Sequence, residues 1–222
     1  MDHISPPKSE HELLERTHSI AGLTIAELAQ RHQQTVPDDL LHAKGWVGQL
    51  IEQSLGADAG SRAEPDFVEL GIELKTIPLN ANGQPKETTY VCTVPLNEVA
   101  TSWEDSWIRQ KLSRVLWLPI EASPDLAIGQ RHIGSAVLTE LSPQQDQQLK
   151  QDWLEHMELI TTGRINEINA HFGTYLQVRP KAANNKALRD ATDEDGENIK
   201  TLPRGFYLRT NFTAEILKQH YA

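Results

Sequence analysis

Apolar side chains recur at helical spacing near the start of the chain. Leu13, Leu14 and Ile20 lie in residues 10–33, which read as helices broken at Ala21-Gly22. Thr24 stands three residues ahead of Glu27, the spacing of a capping box before Leu28. Pro37-Asp38-Asp39 predicts another short helical turn. Residues 44–55 predict a stronger helix, with Trp46, Val47, Leu50, Ile51 and Leu55 on one stripe and Gly56 as its stop. A loop rich in Gly, Ala and Ser follows, as far as Ala63. The period then changes. Residues 67–77 and 88–94 read as strands separated by Asn82-Gly83, a hairpin signal. Residues 115–120 form a continuous apolar run, as expected of a fully buried strand. Ser142-Pro143 opens a long amphipathic helix to about Ile160, carrying Leu149, Trp153, Leu154, Met157 and Ile160. Residues 175–178 and 206–208 read as short strands, 182–191 as helical, and Thr213 as the cap of a final helix. No repeat, linker or low-complexity tract interrupts the pattern. It predicts a mixed α/β (α+β) fold in one unit over residues 1–222.

Composition narrows the class. A chain of 222 residues can bury a substantial core, and 38% hydrophobic with 23% charged residues excludes wholesale disorder. The longest apolar run, 115–120, is far short of a bilayer span. The start, Met1-Asp2-His3-Ile4-Ser5, has neither the basic nor the apolar segment of a signal peptide. One cysteine, Cys92, excludes an internal disulfide framework and a cysteine-rich zinc site. These features predict a soluble, cytoplasmic protein that meets no membrane. The formal charge of −10 argues against a general polyanion binder. That charge is unevenly spread. Residues 179–222 hold eight Lys or Arg against six Asp or Glu, which permits a local anion-binding surface.

The chemistry centres on Asp66 and on Glu73-Leu74-Lys75. In a strand, Glu73 and Lys75 project from one face, a pleat apart. Asp66 would lie near the entry to that strand or on its neighbour. Two converging carboxylates suit a hard divalent cation such as Mg²⁺, and a nearby ammonium can steady a nucleophile or a developing charge. The spacing resembles the carboxylate-and-lysine arrangement of many metal-dependent nucleases, although by itself it is the ordinary pattern of a solvated strand face. Lys44, Gly48, Glu52 and Gly56 fall on one line of the preceding helix, off its apolar stripe. Their glycines suit the close approach of a backbone or a nucleic acid, with Glu52 as a further carboxylate and Lys44 as a phosphate contact. A helix packed tightly on the sheet explains the same line.

Two later segments interleave basic and aromatic residues: Arg179-Pro180-Lys181, and Leu202-Pro203-Arg204-Gly205-Phe206-Tyr207 with Arg209 beyond. Such side chains reach phosphates and base edges; rigid turns with solvated charges would look alike. Arg109 and Lys111, with Arg114 further on, form a smaller basic cluster. The nine histidines lack ligand spacing, and no phosphate loop, dinucleotide turn or nucleophile elbow occurs.

Taken in order, these segments resemble the MutH family of DNA mismatch-repair endonucleases. The resemblance runs through residues 44–48 with Glu52, 56–61, 66–78, 111–117, 179–184 and 202–207, and so covers nearly the whole chain. It implies a fold like that of the type II restriction endonucleases: a mixed sheet flanked by helices, with two arms, roughly 1–110 and 111–222, around a DNA-binding cleft. It implies nicking of the unmethylated strand of double-stranded DNA at hemimethylated GATC sites, 5′ to G, with Mg²⁺. The activator would be the ATPase MutL, brought in by the mismatch sensor MutS. The family's catalytic, metal-holding carboxylates fall on Glu52, Asp66 and Glu73, and its catalytic lysine on Lys75. Lys44 and Lys111 match basic residues near the cleft. Arg179, Pro180, Lys181 and Tyr207 match the elements that read GATC and sense adenine methylation. A stand-alone GATC restriction endonuclease and a non-catalytic DNA-binding adaptor are the alternatives. Restriction enzymes usually act through two catalytic copies, whereas a monomer suffices here, and the intact quartet speaks against an adaptor.

Overall fold

The computed structural model describes residues 4–39, 45–60, 62, 64–94, 102–169, 171–181, 188–195 and 197–221. In chain order its elements are α1 (Glu10–Ile20), α2 (Ile25–Arg31), α3 (Trp46–Leu55), β1 (Glu73–Leu79), β2 (Thr89–Thr93), α4 (Trp107–Leu112), β3 (Arg114–Glu121), β4 (Val137–Glu140), α5 (Pro143–Thr161), β5 (Leu176–Pro180), β6 (Arg189–Thr192), β7 (Asn198–Thr201), β8 (Arg204–Leu208) and α6 (Thr210–Tyr221). The fold is mixed α+β, with small sheets flanked by helices. It divides into two compact units, one of residues 1–87 and 114–140, the other of 88–113 and 141–222. These boundaries differ from the 110/111 division expected between arms.

In the first unit β1 pairs in parallel with β3, which pairs antiparallel with β4. Every residue of β3 between its two ends is buried, as the apolar run predicts for a strand covered on both faces. Leu74, Leu116 and Leu118 join a core with Leu13, Ile25, Leu28, Leu50, Ile51 and Leu55 of the three helices. Strand alternation therefore turns Glu73 and Lys75 to the opposite face, with Val115 and Trp117 beside them. α2 begins with the expected capping box, Thr24 with Glu27. At the other end of α3, Arg16 donates from Nη1 to the carbonyls of Leu55 (2.7 Å) and Ser5 (2.8 Å), a cation at a helix C-terminus.

Several expectations fail in detail. Residues 67–72 are not strand: a 3₁₀ turn over Val68–Leu70 ends at left-handed Gly71, and Phe67 and Ile72 bond each other across it. Both are buried, and Val68, Leu70 and Ile72 give the turn a strand-like apolar pattern. Pro37-Asp38-Asp39 are not themselves helical, and the turn they would open lies beyond residue 39, outside the described residues. Asn82-Gly83 does turn, with Asn80 accepting from the amides of Asn82 and Gln84. It does not join a hairpin of β1 and β2, because β1 satisfies its backbone on β3 and β2 pairs with β8 in the other sheet. Finally, 189–191 is strand rather than helix. Asp193 accepts from the amides of Asp195 and Glu197 and closes a β6–β7 hairpin, a local bond that outweighs helix propensity. Most of the remaining 182–191 segment lies outside the described residues.

The second unit is built on the antiparallel sheet β2–β8–β5. Ser142 caps α5 with a capping box through Gln145, and Pro143 sits in its first turn. Leu154 is an exception to the expected apolar stripe and is exposed. α5 secures β5: Asp152 accepts the amides of Tyr175 (2.6 Å) and Leu176 (2.8 Å), and buried His156 bonds the Leu176 carbonyl. α6 begins at Thr210, so the fully buried Thr213 lies inside its first turns rather than capping it. The helix is held where the Tyr175 hydroxyl donates to Glu215 at 2.6 Å. That bond pushes the Tyr175 phenol up to about 12. α4 carries no strong sequence signal; it is capped by buried Ser106.

Candidate active site and nucleic-acid interface

The catalytic candidates gather at the start of β1. Asp66 precedes the 3₁₀ turn, and that turn folds it back on the strand, where its Oδ2 accepts the Leu74 amide at 2.8 Å. The main chain of Asp66 is held too, its carbonyl accepting the amides of Asp58 and Ala59 from the glycine-rich loop. Glu73 is buried, with 2% of its surface exposed, and its Oε1 takes a 2.5 Å ion pair from Lys75 Nζ. A carboxylate in that setting needs a cation beside it. The arrangement excludes the solvated-face reading of this pair.

Glu52 is half-buried on α3. A Cβ on Gly48, one turn earlier, would stand 4.0 Å from Glu52 Oε1 and meet nothing else among the described residues. Gly45 and Gly56 have another role. Both are left-handed caps of α3, and a Cβ on Gly56 would meet Arg16 and the Ser5 carbonyl at 2.6 Å. The close approach at Gly56 is thus made by this chain itself. Lys44 lies outside the described residues.

The oxygen donors of Asp66 and Glu73 fit a hard divalent cation. Among the described residues no three His, Cys, Asp or Glu side chains form a group able to hold a metal by themselves. A cation there would take oxygens from elsewhere as well, and a phosphodiester offers them.

In the second unit the sheet has two unlike faces. Phe206 packs with His156, whose ring also meets Phe172, and Leu176, Val178 and Leu208 are buried with it. The other face carries Tyr90, Tyr207, Gln177 and Arg179, with Tyr90 and Gln177 both opposite Tyr207. The rings of Tyr90 and Tyr207 meet edge to face, centroids 5.4 Å apart. The Arg179 guanidinium lies 5.6 Å from the Tyr207 ring, and Lys181 Nζ 3.4 Å from that of Tyr90. Arg179 also donates to Thr88 at 2.8 Å. Burial raises the Tyr207 phenol above its usual range, Tyr90 adds to this and Arg179 opposes it. Pro180 is exposed at the end of β5, opposite Arg204. Sequence reasoning passed over Tyr90, whose place beside Tyr207 depends on a register with a bulge between Tyr90 and Cys92.

Lys111 is half-buried near the end of α4. Arg109 is engaged with Asp146 at 2.6 Å, and Arg114 with Glu10 and Glu140, so these two arginines have structural partners.

This acid-and-lysine strand, with an aromatic, basic sheet face, can be set beside known proteins. A family model described as "DNA mismatch repair enzyme MutH" matches residues 55–152. The DNA mismatch repair protein MutH of Shewanella baltica is 51% identical over 220 residues, 99% of either chain. That of Vibrio cholerae is 52% identical over 217, covering 97% of this chain and 98% of its own. The chain belongs to the MutH family. The MutH protein of Vibrio parahaemolyticus, 51% identical over 216 residues, spans 97% of this chain and 96% of its own. Membership gives the chain the role of a DNA mismatch-repair endonuclease, a nuclease acting on phosphodiester bonds. Among the described residues no helix is long and apolar enough to cross a membrane.

Proposed function

We propose that this MutH-family chain nicks the unmethylated strand of double-stranded DNA at hemimethylated GATC sites, 5′ to G, with Mg²⁺ as its cation. In this reading residues 1–222 act as one catalytic module, a monomer in the cytoplasm, stimulated by MutL after MutS has found a mismatch. The observation that carries it is the seating of Asp66 on the Leu74 amide, between buried Glu73 and its partner Lys75. An oxygen donor pair and an ammonium at one strand support a reading of metal-assisted phosphodiester hydrolysis.

Asp66 and Glu73 would hold the cation, with Glu52 completing or supporting its shell. When bound, it supplies Lewis-acid polarisation of the scissile phosphate. Lys75, tethered by Glu73, orients the attacking water or stabilises charge growing on the phosphoryl oxygens. Arg179 and Lys181 present donors to phosphates or base edges, Tyr207 contacts a base, and together with Pro180 at the end of β5 they read GATC and sense adenine methylation. Lys44 and Lys111 contact the DNA backbone.

The test is nicking of a plasmid carrying a single GATC site in Mg²⁺, with and without MutL and ATP, in three methylation states. Nicks confined to unmethylated strands, stimulated by MutL and absent from Asp66→Ala, support the proposal. Rapid double-strand cleavage without MutL would instead mark a restriction endonuclease. No cleavage in any state would mean a DNA-binding adaptor.

A further inference from the structure

Gly205 lies in β8 between Thr93 of β2 and Arg179 of β5, on the face that carries the two tyrosines. It is buried, and its φ is outside the left-handed region, so the backbone conformation itself does not call for glycine. A glycine inside a strand weakens it and often marks a place where something must approach closely. Here the approaching groups are identifiable. A Cβ at 205 would stand 3.0 Å from Tyr90 Cε2, 3.3 Å from Tyr90 Cδ2 and 3.1 Å from Tyr207 Cε2. Two rings from two strands therefore close over one bare Cα. Each ring in turn carries a cation, Lys181 on Tyr90 and Arg179 on Tyr207.

We infer that Gly205 is a positioning residue for DNA recognition: the missing side chain is the seat that fixes both tyrosines, and through them Arg179 and Lys181, in the geometry that reads the site. This rests on the proposed reading of that face. A methyl group would push the rings a few tenths of an ångström apart. Such a shift leaves the core face intact, because Phe206 and its neighbours pack on the other side of the sheet.

The test measures kcat and KM of Gly205→Ala on hemimethylated GATC duplexes and on duplexes with one base of the site changed, alongside the unfolding midpoint. Expected is a loss of about tenfold in kcat/KM at GATC, since small misplacements of positioning groups are costly in rate. The ratio of GATC to altered sites should fall by a similar factor, with the midpoint held. A merely structural role would not move that ratio. Tyr90→Leu removes one of the two crowding rings and gives the other, Tyr207, room to turn. The double variant should therefore lose no more than Tyr90→Leu alone. An unchanged ratio, or losses that multiply, would overturn the inference. Should Gly205→Ala fail to fold, recovery of the fold in the double variant supports the seat and its absence overturns it. Tyr207→Ala and Arg179→Ala keep the two levels apart. If both retain full discrimination, the DNA-reading assignment fails; if they lose it and Gly205→Ala does not, only the seat falls.

Discussion

Asp66 reaches across a six-residue turn to accept the amide hydrogen of Leu74, the residue between Glu73 and Lys75. A backbone donor that parallel pairing would leave on the strand's outer edge thus anchors a carboxylate, so the position of one acid is set by the strand that bears the other.

Removing the ammonium should expose the cost of this arrangement. Lys75→Met removes the ion-pair partner of Glu73, which is only 2% exposed. We expect a loss of about 3 kcal/mol in urea unfolding at neutral pH, in the range for breaking a buried pair from one side. Glu73→Gln added to Lys75→Met should recover much of it. Neither variant should nick DNA, while DNA binding persists.

His156 predicts a pH dependence. Burial lowers its pKa from the usual 6.5, and its Nε2 bonds the Leu176 carbonyl among aromatic rings. A histidine with a depressed native pKa binds its proton more readily when unfolded. Its contribution is complete above about pH 6.5 and is lost as pH falls below that value toward the native pKa. Urea midpoints should therefore drop between pH 7.5 and 5.5, and His156→Gln should flatten that slope. An equal slope in both proteins would refute the assignment.

The N-terminus of α5 offers a change confined to stability. Ser142 accepts the Gln145 amide at 3.2 Å, and Gln145 returns a bond to the Ser142 amide at 3.0 Å. Ser142→Ala should cost about 1 kcal/mol in thermal or denaturant unfolding. Rates of nicking measured well below the midpoint should stay as they were.

Arg179 should reveal itself through salt. If it neutralises a DNA phosphate, Arg179→Ala weakens binding and reduces the slope of log K against log salt by about 1. If it reads guanine instead, discrimination against an altered site falls by about 1–3 kcal/mol. Titrations at several salt concentrations separate these outcomes, and an unchanged affinity and slope would remove Arg179 from the interface.

The elements legible in the sequence are those whose signals are local. The Thr24 and Ser142 caps mark the starts of α2 and α5, and residues 115–120 announce β3 by being apolar throughout. Residues 67–72 mislead because Val68, Leu70 and Ile72 alternate with Glu69 and Gly71 as in a strand, whereas left-handed Gly71 ends a 3₁₀ turn there. Asn82-Gly83 makes the turn its sequence specifies, because turn chemistry is local, whereas the choice of β3 and β8 as strand partners is not. At the candidate site, the shared face of Glu73 and Lys75 follows from strand alternation alone. The seat of Asp66 needed the 3₁₀ turn, and the meeting of Tyr90 with Tyr207 needed a register between distant segments with a bulge in it.

Because the chain passes between its two units after residues 87, 113 and 140, neither unit is one continuous stretch. On the ribosome β1 must wait for β3, with a piece of the other unit emerging in between. β2 waits longer still, since its partner β8 ends only at Leu208. The two sheets therefore mature in overlapping order during synthesis, and no single cut in the polypeptide separates one unit from the other.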